Sequence, residues 1–166
     1  MRNQQGKTAR HEPIQDAEPI DVVGGRISVV GRMETHDDDV VLIRAHMSLG
    51  ESVLLHAHCD PECFYVLEGR IEVFLGDNEP RWHLVGQGQS LFVAGGVKHA
   101  VRNTSNMPAA IVGTTVRLAR FLREVGRSAS GDDHRPPTSA DFETLQRKAR
   151  GYGYWLASPE DLPANF

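Results

Sequence analysis

The chain has 166 residues, about the length of one domain, with 22 acidic against 18 basic side chains and a formal net charge of -4. That balance excludes a strongly basic nucleic-acid binder by bulk electrostatics, while 40% hydrophobic residues are enough for a real core. The longest apolar runs, such as Val40 to Ile43 and Cys63 to Leu67, reach only about five residues, far short of the roughly 18 needed by a membrane-spanning helix.

Residues 1–17 mix Gln, Lys, Arg, Glu and Pro with a single Ile, and are expected to form a mobile arm because they can bury little. They contain no apolar stretch of the kind found in a signal peptide. The only cysteines, Cys59 and Cys63, are too few for a disulfide framework. The expectation is a cytoplasmic protein with no membrane or nucleic-acid partner.

Residues 18–126 read as one β-barrel domain, with a pattern of short strands from Ile20 to about Val116. The predicted ones are Asp21–Val23, Arg26–Gly31, Val40–Met47, Ser52–His58, Glu62–Leu67, Arg70–Leu75, Arg81–Val85, Ser90–Val93, His99–Asn103 and Ala109–Val116. They are rich in Val, Ile and Phe and are separated by Gly, Asp, Asn and Pro, as in an all-β sandwich or barrel. After Arg117 the period changes. Leu118, Phe121, Leu122 and Val125 fall at helical spacing before Gly126, which reads as a helix C-cap. Residues 127–166 then read as a polar linker, a second helix opened by Thr138 with Asp141 and closed near Gly151, and an aromatic tail. The tail carries Tyr152, Tyr154, Trp155, Leu156 and Phe166. So much apolar surface is expected to pack on the body or on a neighbouring subunit.

The chemistry concentrates in Gly50 to Gly69 and Gly88 to Asn103. His56 and His58 are two apart, so on a strand both point to one face. Glu62 follows after Pro61, which is expected to interrupt the ladder and leave Glu62 free to aim back. His99 adds an imidazole from a distant strand, after Gly95-Gly96. Two imidazoles and a carboxylate are the ligand types of open non-haem iron sites, and nickel, manganese, copper and zinc are also compatible. Four such groups buried without partners would be costly. Three His and one Glu leave two positions of a six-coordinate ion for substrate or dioxygen.

Other candidates have plainer readings. His46 and His83 lack this spacing and read as surface or satisfied core residues. Cys59 has the opposite parity to His58 and should point away from the site. Arg117, Arg120, Arg123 and Arg127 read as a solvated helix face rather than an anion site. Phe64 and Val66 share the parity of Glu62 and should face the same interior as core or pocket wall.

The two motifs resemble those of the cupin superfamily. Gly50, His56, His58, Glu62 and Gly69 meet every position of the first motif, and Gly88, Gly96, His99 and Asn103 match the second, with Ala94 in place of its Pro. The segments FYVLEG, KHAVRN and FLREVG are most similar to small single-domain quercetin dioxygenase-like cupins. The resemblance implies a jelly-roll β-barrel with C-terminal helices, and one divalent transition ion, iron or nickel before manganese, copper or zinc, held by His56, His58, Glu62 and His99. It implies a homodimer acting on a small-molecule substrate. The activity it implies is that of a dioxygenase of a small aromatic or enolic substrate, with Glu62 as the catalytic proton acceptor. The same site could serve a non-oxidative isomerase, decarboxylase or cyclase, or a binding protein without catalysis.

Overall fold

A computed structural model describes residues 18–22, 25–34, 39–116, 118–129 and 138–162. The expected N-terminal arm at 1–17, Val23, Arg117, most of the linker (130–137) and the end of the tail (163–166) lie outside them.

Ten strands fill the region predicted to be β. They are β1 (Ile20–Val22), β2 (Gly25–Glu34), β3 (Asp39–Met47), β4 (Ser52–Ala57), β5 (Glu62–Glu68), β6 (Arg70–Leu75), β7 (Arg81–Gly86), β8 (Ser90–Val93), β9 (His99–Arg102) and β10 (Ala109–Val116). Two helices follow, α1 (Leu118–Val125) and α2 (Ser139–Gly151). Two short strands escaped the sequence reading, β11 (Arg127–Ser128) and β12 (Trp155–Leu156). Two-residue strands carry no periodicity to detect, and β11 replaces what read as the start of the linker.

The strands form two antiparallel sheets. One has the order β11-β1-β2-β3-β10-β5-β8 and the other β12-β4-β9-β6-β7. Alternation along the strands decides which side is apolar. Val66, Ile111 and Met47 of the first sheet meet Ile71, Val73, Val85 and Val101 of the second in one buried cluster. Each sheet therefore covers the apolar face of the other, the arrangement of a jelly roll.

A second cluster explains the C-terminal helices. Leu118, Phe121 and Leu122 of α1 and Leu145 and Ala149 of α2 pack with Val41 and Ile43 of β3 and with Tyr154. Thr138 caps α2 as expected: its hydroxyl accepts from Asp141 N, and its own N–H donates to the Asp141 carboxylate at 2.7 Å. Gly126 ends α1, but not through a left-handed conformation. A Cβ there would collide with the Ile20 side chain and with Leu122 O, so glycine is needed for close approach to β1. The Arg127 guanidinium donates to Asp21 at 3.0 Å and ties β11 to β1. The tail closes against the body, one of the two places the sequence allowed for it. Trp155 pairs with Ala57, Leu156 pairs with His56, and Ala157 N donates to Leu55 O at 2.9 Å.

Candidate metal centre

His56 lies on β4, opposite His99 on β9 in the strand register. Their ring centroids are 4.2 Å apart. His58, two residues along, keeps the same face just beyond the strand end, 5.4 Å from the ring of His56 and 5.1 Å from that of His99. Glu62 opens β5 and completes the group. One ligand atom from each of these four residues lies within 4.8 Å of the others. His58, Glu62 and His99 are buried.

The loop between His58 and Glu62 is held from below. A Cβ at Gly95 would run into the carbonyl of Cys59, and Gly96 N donates to His58 O at 2.7 Å. The paired glycines of the second motif therefore seat the loop of the first. Val97 N donates to Ala94 O at 3.2 Å, so this turn forms without the motif's proline. Asn103 is fully buried, and its amide donates to Met47 O and Met107 O. Its role is to clamp the strand ends.

Each imidazole is oriented by its Nδ1. His56 Nδ1 sits 2.7 Å from Leu54 O, His58 Nδ1 2.9 Å from Asp60 O, and His99 Nδ1 2.8 Å from Val97 O. A carbonyl can only accept, so each Nδ1 carries the proton and each Nε2 presents a lone pair to the centre. Backbone carbonyls fixing the tautomer are the usual outer shell of metal-ligating histidines.

Nε2 of His58 and Nε2 of His99 are buried with no hydrogen-bond partner. They face the two oxygens of Glu62, at 3.4 Å and 3.3 Å. Lone pairs facing carboxylate oxygens at that range repel unless a cation or a proton lies between them. The donor set, the tautomers and these orphaned nitrogens all fit a divalent metal ion, and the identity of the ion is a separate matter.

The electrostatics of the bare cluster point the same way. Burial holds His56 down at about 4, and the neighbouring His99 adds to the effect. Burial also works against a charged His58, but the adjoining Glu62 outweighs it and raises the pKa. For Glu62 burial pushes upward, yet His58 and His99 prevail and hold it well below the usual carboxylate range. Positive charge is favoured between the carboxylate and its two imidazoles.

The sequence reading of Glu62 needs one correction. Pro61 does not leave it outside the ladder: Glu62 pairs with Thr115 of β10 on one side and Val93 of β8 on the other. Its aim comes from strand alternation. Phe64 and Val66 follow the same parity inward. Cys59 is exposed, and burial raises the pKa of the Cys63 thiol, which stays protonated. His46 is exposed, and His83 lies beside Arg81 at 3.4 Å, away from the cluster. Arg120 pairs with Glu124 along the exposed face of α1.

Sequence reasoning missed Asp60 and Tyr154. Asp60 is 2% exposed, and its carboxylate accepts from the Tyr154 hydroxyl at 3.2 Å. The Tyr154 ring packs 5.3 Å from that of His58. Asp60 thus holds His58 through its carbonyl and the tail through its carboxylate. The sequence offered only an Asp inside the first motif and a Tyr in a tail expected to pack on the body, with nothing to pair them.

A cavity of about 150 Å³ runs from His56, His58 and Glu62 between the sheets and the helices. Its other walls are apolar, with Phe64 and Ile111 from the barrel and Leu118, Phe121 and Leu145 from α1 and α2. A convergent polar end in an apolar cavity is the usual form of a small-molecule site.

Residues 43–115 match the family model described as cupin domain. No curated protein sequence matches the chain. Solved structures share the fold. An RmlC-like cupin from Shewanella frigidimarina superposes with a TM-score of 0.55 at 19% identity, covering 69% of this chain and 96% of that one. The polyketide cyclase RemF from Streptomyces resistomycificus gives 0.54 at 21% identity, covering 66% of this chain and 80% of its own. A predicted oxalate decarboxylase from Thermotoga maritima gives 0.52 at 18% identity, covering 63% and 96%. The chain thus has the cupin fold, with a cupin domain spanning both motifs. No helix among the described residues is long and apolar enough to cross a membrane.

Proposed function

We propose that this cupin-fold chain is a metal-dependent enzyme, and that its reaction is the dioxygenation of a small aromatic or enolic substrate. The observation that carries the reading is the convergence of three Nε2 lone pairs and the Glu62 carboxylate on one end of an apolar cavity. His56, His58, Glu62 and His99 are the proposed ligands of one divalent transition ion, iron or nickel first. When bound, that ion supplies Lewis acidity toward a substrate oxygen and a route to dioxygen chemistry.

The chain's own residues do the rest. Leu54, Asp60 and Val97 carbonyls keep the Nδ1 protons in place, so the imidazoles stay neutral donors. The Glu62 carboxylate accepts the proton of the substrate hydroxyl, leaving the substrate as an enolate or phenolate. Glu62 would take that proton as its carboxylate loosened from the ion, because a cation, like the two imidazoles of the bare cluster, holds a carboxylate pKa down. Apolar walls exclude the water that would compete for the same proton.

A second reading uses the same groups without dioxygen. Proton removal beside a carbonyl, with Lewis-acid stabilisation of the enolate, is also what a cyclase, isomerase or decarboxylase needs. The fold shared with a polyketide cyclase favours keeping it.

Oxygen-electrode kinetics at matched metal loading test the first reading. Glutamine keeps the shape and a carbonyl oxygen but takes no proton, so Glu62→Gln should retain part of the metal and lose at least about 100-fold in oxygen-dependent turnover. Equal rates would remove Glu62 as the base. No oxygen uptake by the wild type with any aromatic or enolic substrate would overturn the dioxygenase reading in favour of the second.

A further inference from the structure

We infer that the site selects a neutral ligand whose buried body is about the size of a single six-membered ring, with one enolic or phenolic oxygen turned toward His56, His58 and Glu62. The inference rests on the proposed metal centre for the polar end, and on the cavity alone for the rest.

Size comes first. The cavity holds about 150 Å³, the volume at which an apolar protein cavity takes up benzene. A three-ring flavonol is much larger. The wall on the helix side is built of packed side chains. Phe121 on α1 packs in one cluster with Tyr152 and Tyr154, with ring centroids 5.4 Å, 5.1 Å and 5.7 Å apart pairwise. Leu122 and Leu145 complete the same cluster. Packed walls of this kind resist expansion, since interiors are close to crystalline density.

Charge comes second. Among the described residues lining the cavity there is no Lys or Arg, and no Ser, Thr, Asn or Gln. The one carboxylate is Glu62. The Tyr154 hydroxyl donates to Asp60 and is turned to that partner. Among the described residues, a carboxylate or phosphate on the ligand would therefore meet no cation or donor beyond the metal end, and Glu62 would be the one charged side chain lining the cavity. Burying an uncompensated anion is strongly unfavourable. The walls reject charged substituents as effectively as they accept a bare ring.

Three probes with one chelating head separate these claims. 3-Hydroxy-2-methylpyran-4-one is a neutral single ring, 5-hydroxy-4-oxopyran-2-carboxylate adds a negative charge, and 3-hydroxyflavone adds bulk. Calorimetric titration of the zinc-loaded wild-type protein should show the neutral single ring binding best. The carboxylate should bind at least about 10-fold more weakly, and the flavone likewise, because filling a packed interior beyond its volume forces strain. Equal or tighter binding of the carboxylate overturns the charge claim, and equal or tighter binding of the flavone overturns the size claim. Leu122→Ala should open the far wall and improve the flavone about 10-fold relative to the single ring, and an unchanged ratio would show that α1 does not set the limit.

A metal-free arm keeps failure of the inference apart from failure of the proposed function. Toluene should raise the melting temperature of the metal-free protein by occupying the cavity. Should zinc fail to bind, the toluene shift would still support the ring-sized cavity, and its absence would sink it. Should zinc and the neutral ring bind while the iron- and nickel-loaded proteins show no oxygen-dependent turnover of any aromatic or enolic substrate, the dioxygenase reading would fall while the selectivity stood.

Discussion

The two motif segments, residues 50–103, and the C-terminal segment, residues 118–162, build opposite ends of one cavity by different means. In the first, polar side chains at fixed spacing do the work. His56 and His58 share a face, His99 stands opposite His56, and Glu62 meets them from the next strand. In the second, Phe121, Leu122 and Leu145 act only by apolar contact. The polar end settles what chemistry is possible, and the apolar end settles what fits. The two ends are separable in principle, and Tyr154 touches both: its ring lies against Phe121 and His58, and its hydroxyl donates to Asp60.

The comparison can be broken at either end. The largest effect on stability is expected at the apolar one. Phe121→Ala removes a nearly buried ring from the cluster that holds α1 and α2, and should cost about 3–5 kcal/mol of unfolding free energy in urea denaturation. It should leave the zinc stoichiometry of the folded protein intact. Loss of zinc from the folded variant would show that the two ends are not separable.

At the polar end the expected effect is on affinity. His99→Ala should weaken zinc binding by more than about 100-fold, beyond what outer-shell partners usually command. His46→Ala and His83→Ala should leave it unchanged in a competition assay with a chelating dye. If His46→Ala weakened zinc as much as His99→Ala, the ligand assignment would be wrong.

The smallest effect sharpens the link between the ends. Tyr154→Phe keeps the ring and deletes the hydroxyl that donates to Asp60. Zinc affinity should fall by roughly 10-fold, with a stability loss of about 1 kcal/mol. Wild-type affinity with reduced stability would make Tyr154 a packing residue and nothing more.

The same contrast explains what could be read from the sequence. The strands and the four-residue cluster were legible because strand alternation is local. Two histidines at i and i+2 announce a shared face wherever the strand goes, and the two motifs carry fixed spacings. The geometry of Glu62 was misread because a proline next to it suggested a break, whereas the ladder resumes at Glu62 itself. Asp60 and Tyr154 were invisible as a pair because 94 residues separate them, and only tertiary packing brings them together. The strands β11 and β12 were missed for a similar reason. Two residues have no period, and their pairing depends on where the helices deliver them. Gly126 read as a cap, but its need for glycine comes from Ile20, more than a hundred residues earlier. Local rules found the His/Glu cluster, and long-range packing set the shape of the cavity.

The central claim is that His56, His58, Glu62 and His99 hold one metal ion. X-ray absorption on protein reconstituted with a single equivalent of zinc tests it most directly. The account predicts one bound ion with three imidazole nitrogens and a carboxylate oxygen in its first shell, and a spectrum that loses one imidazole in His99→Ala. A zinc content near zero after reconstitution, or a first shell containing sulfur from Cys59 or Cys63, would contradict it.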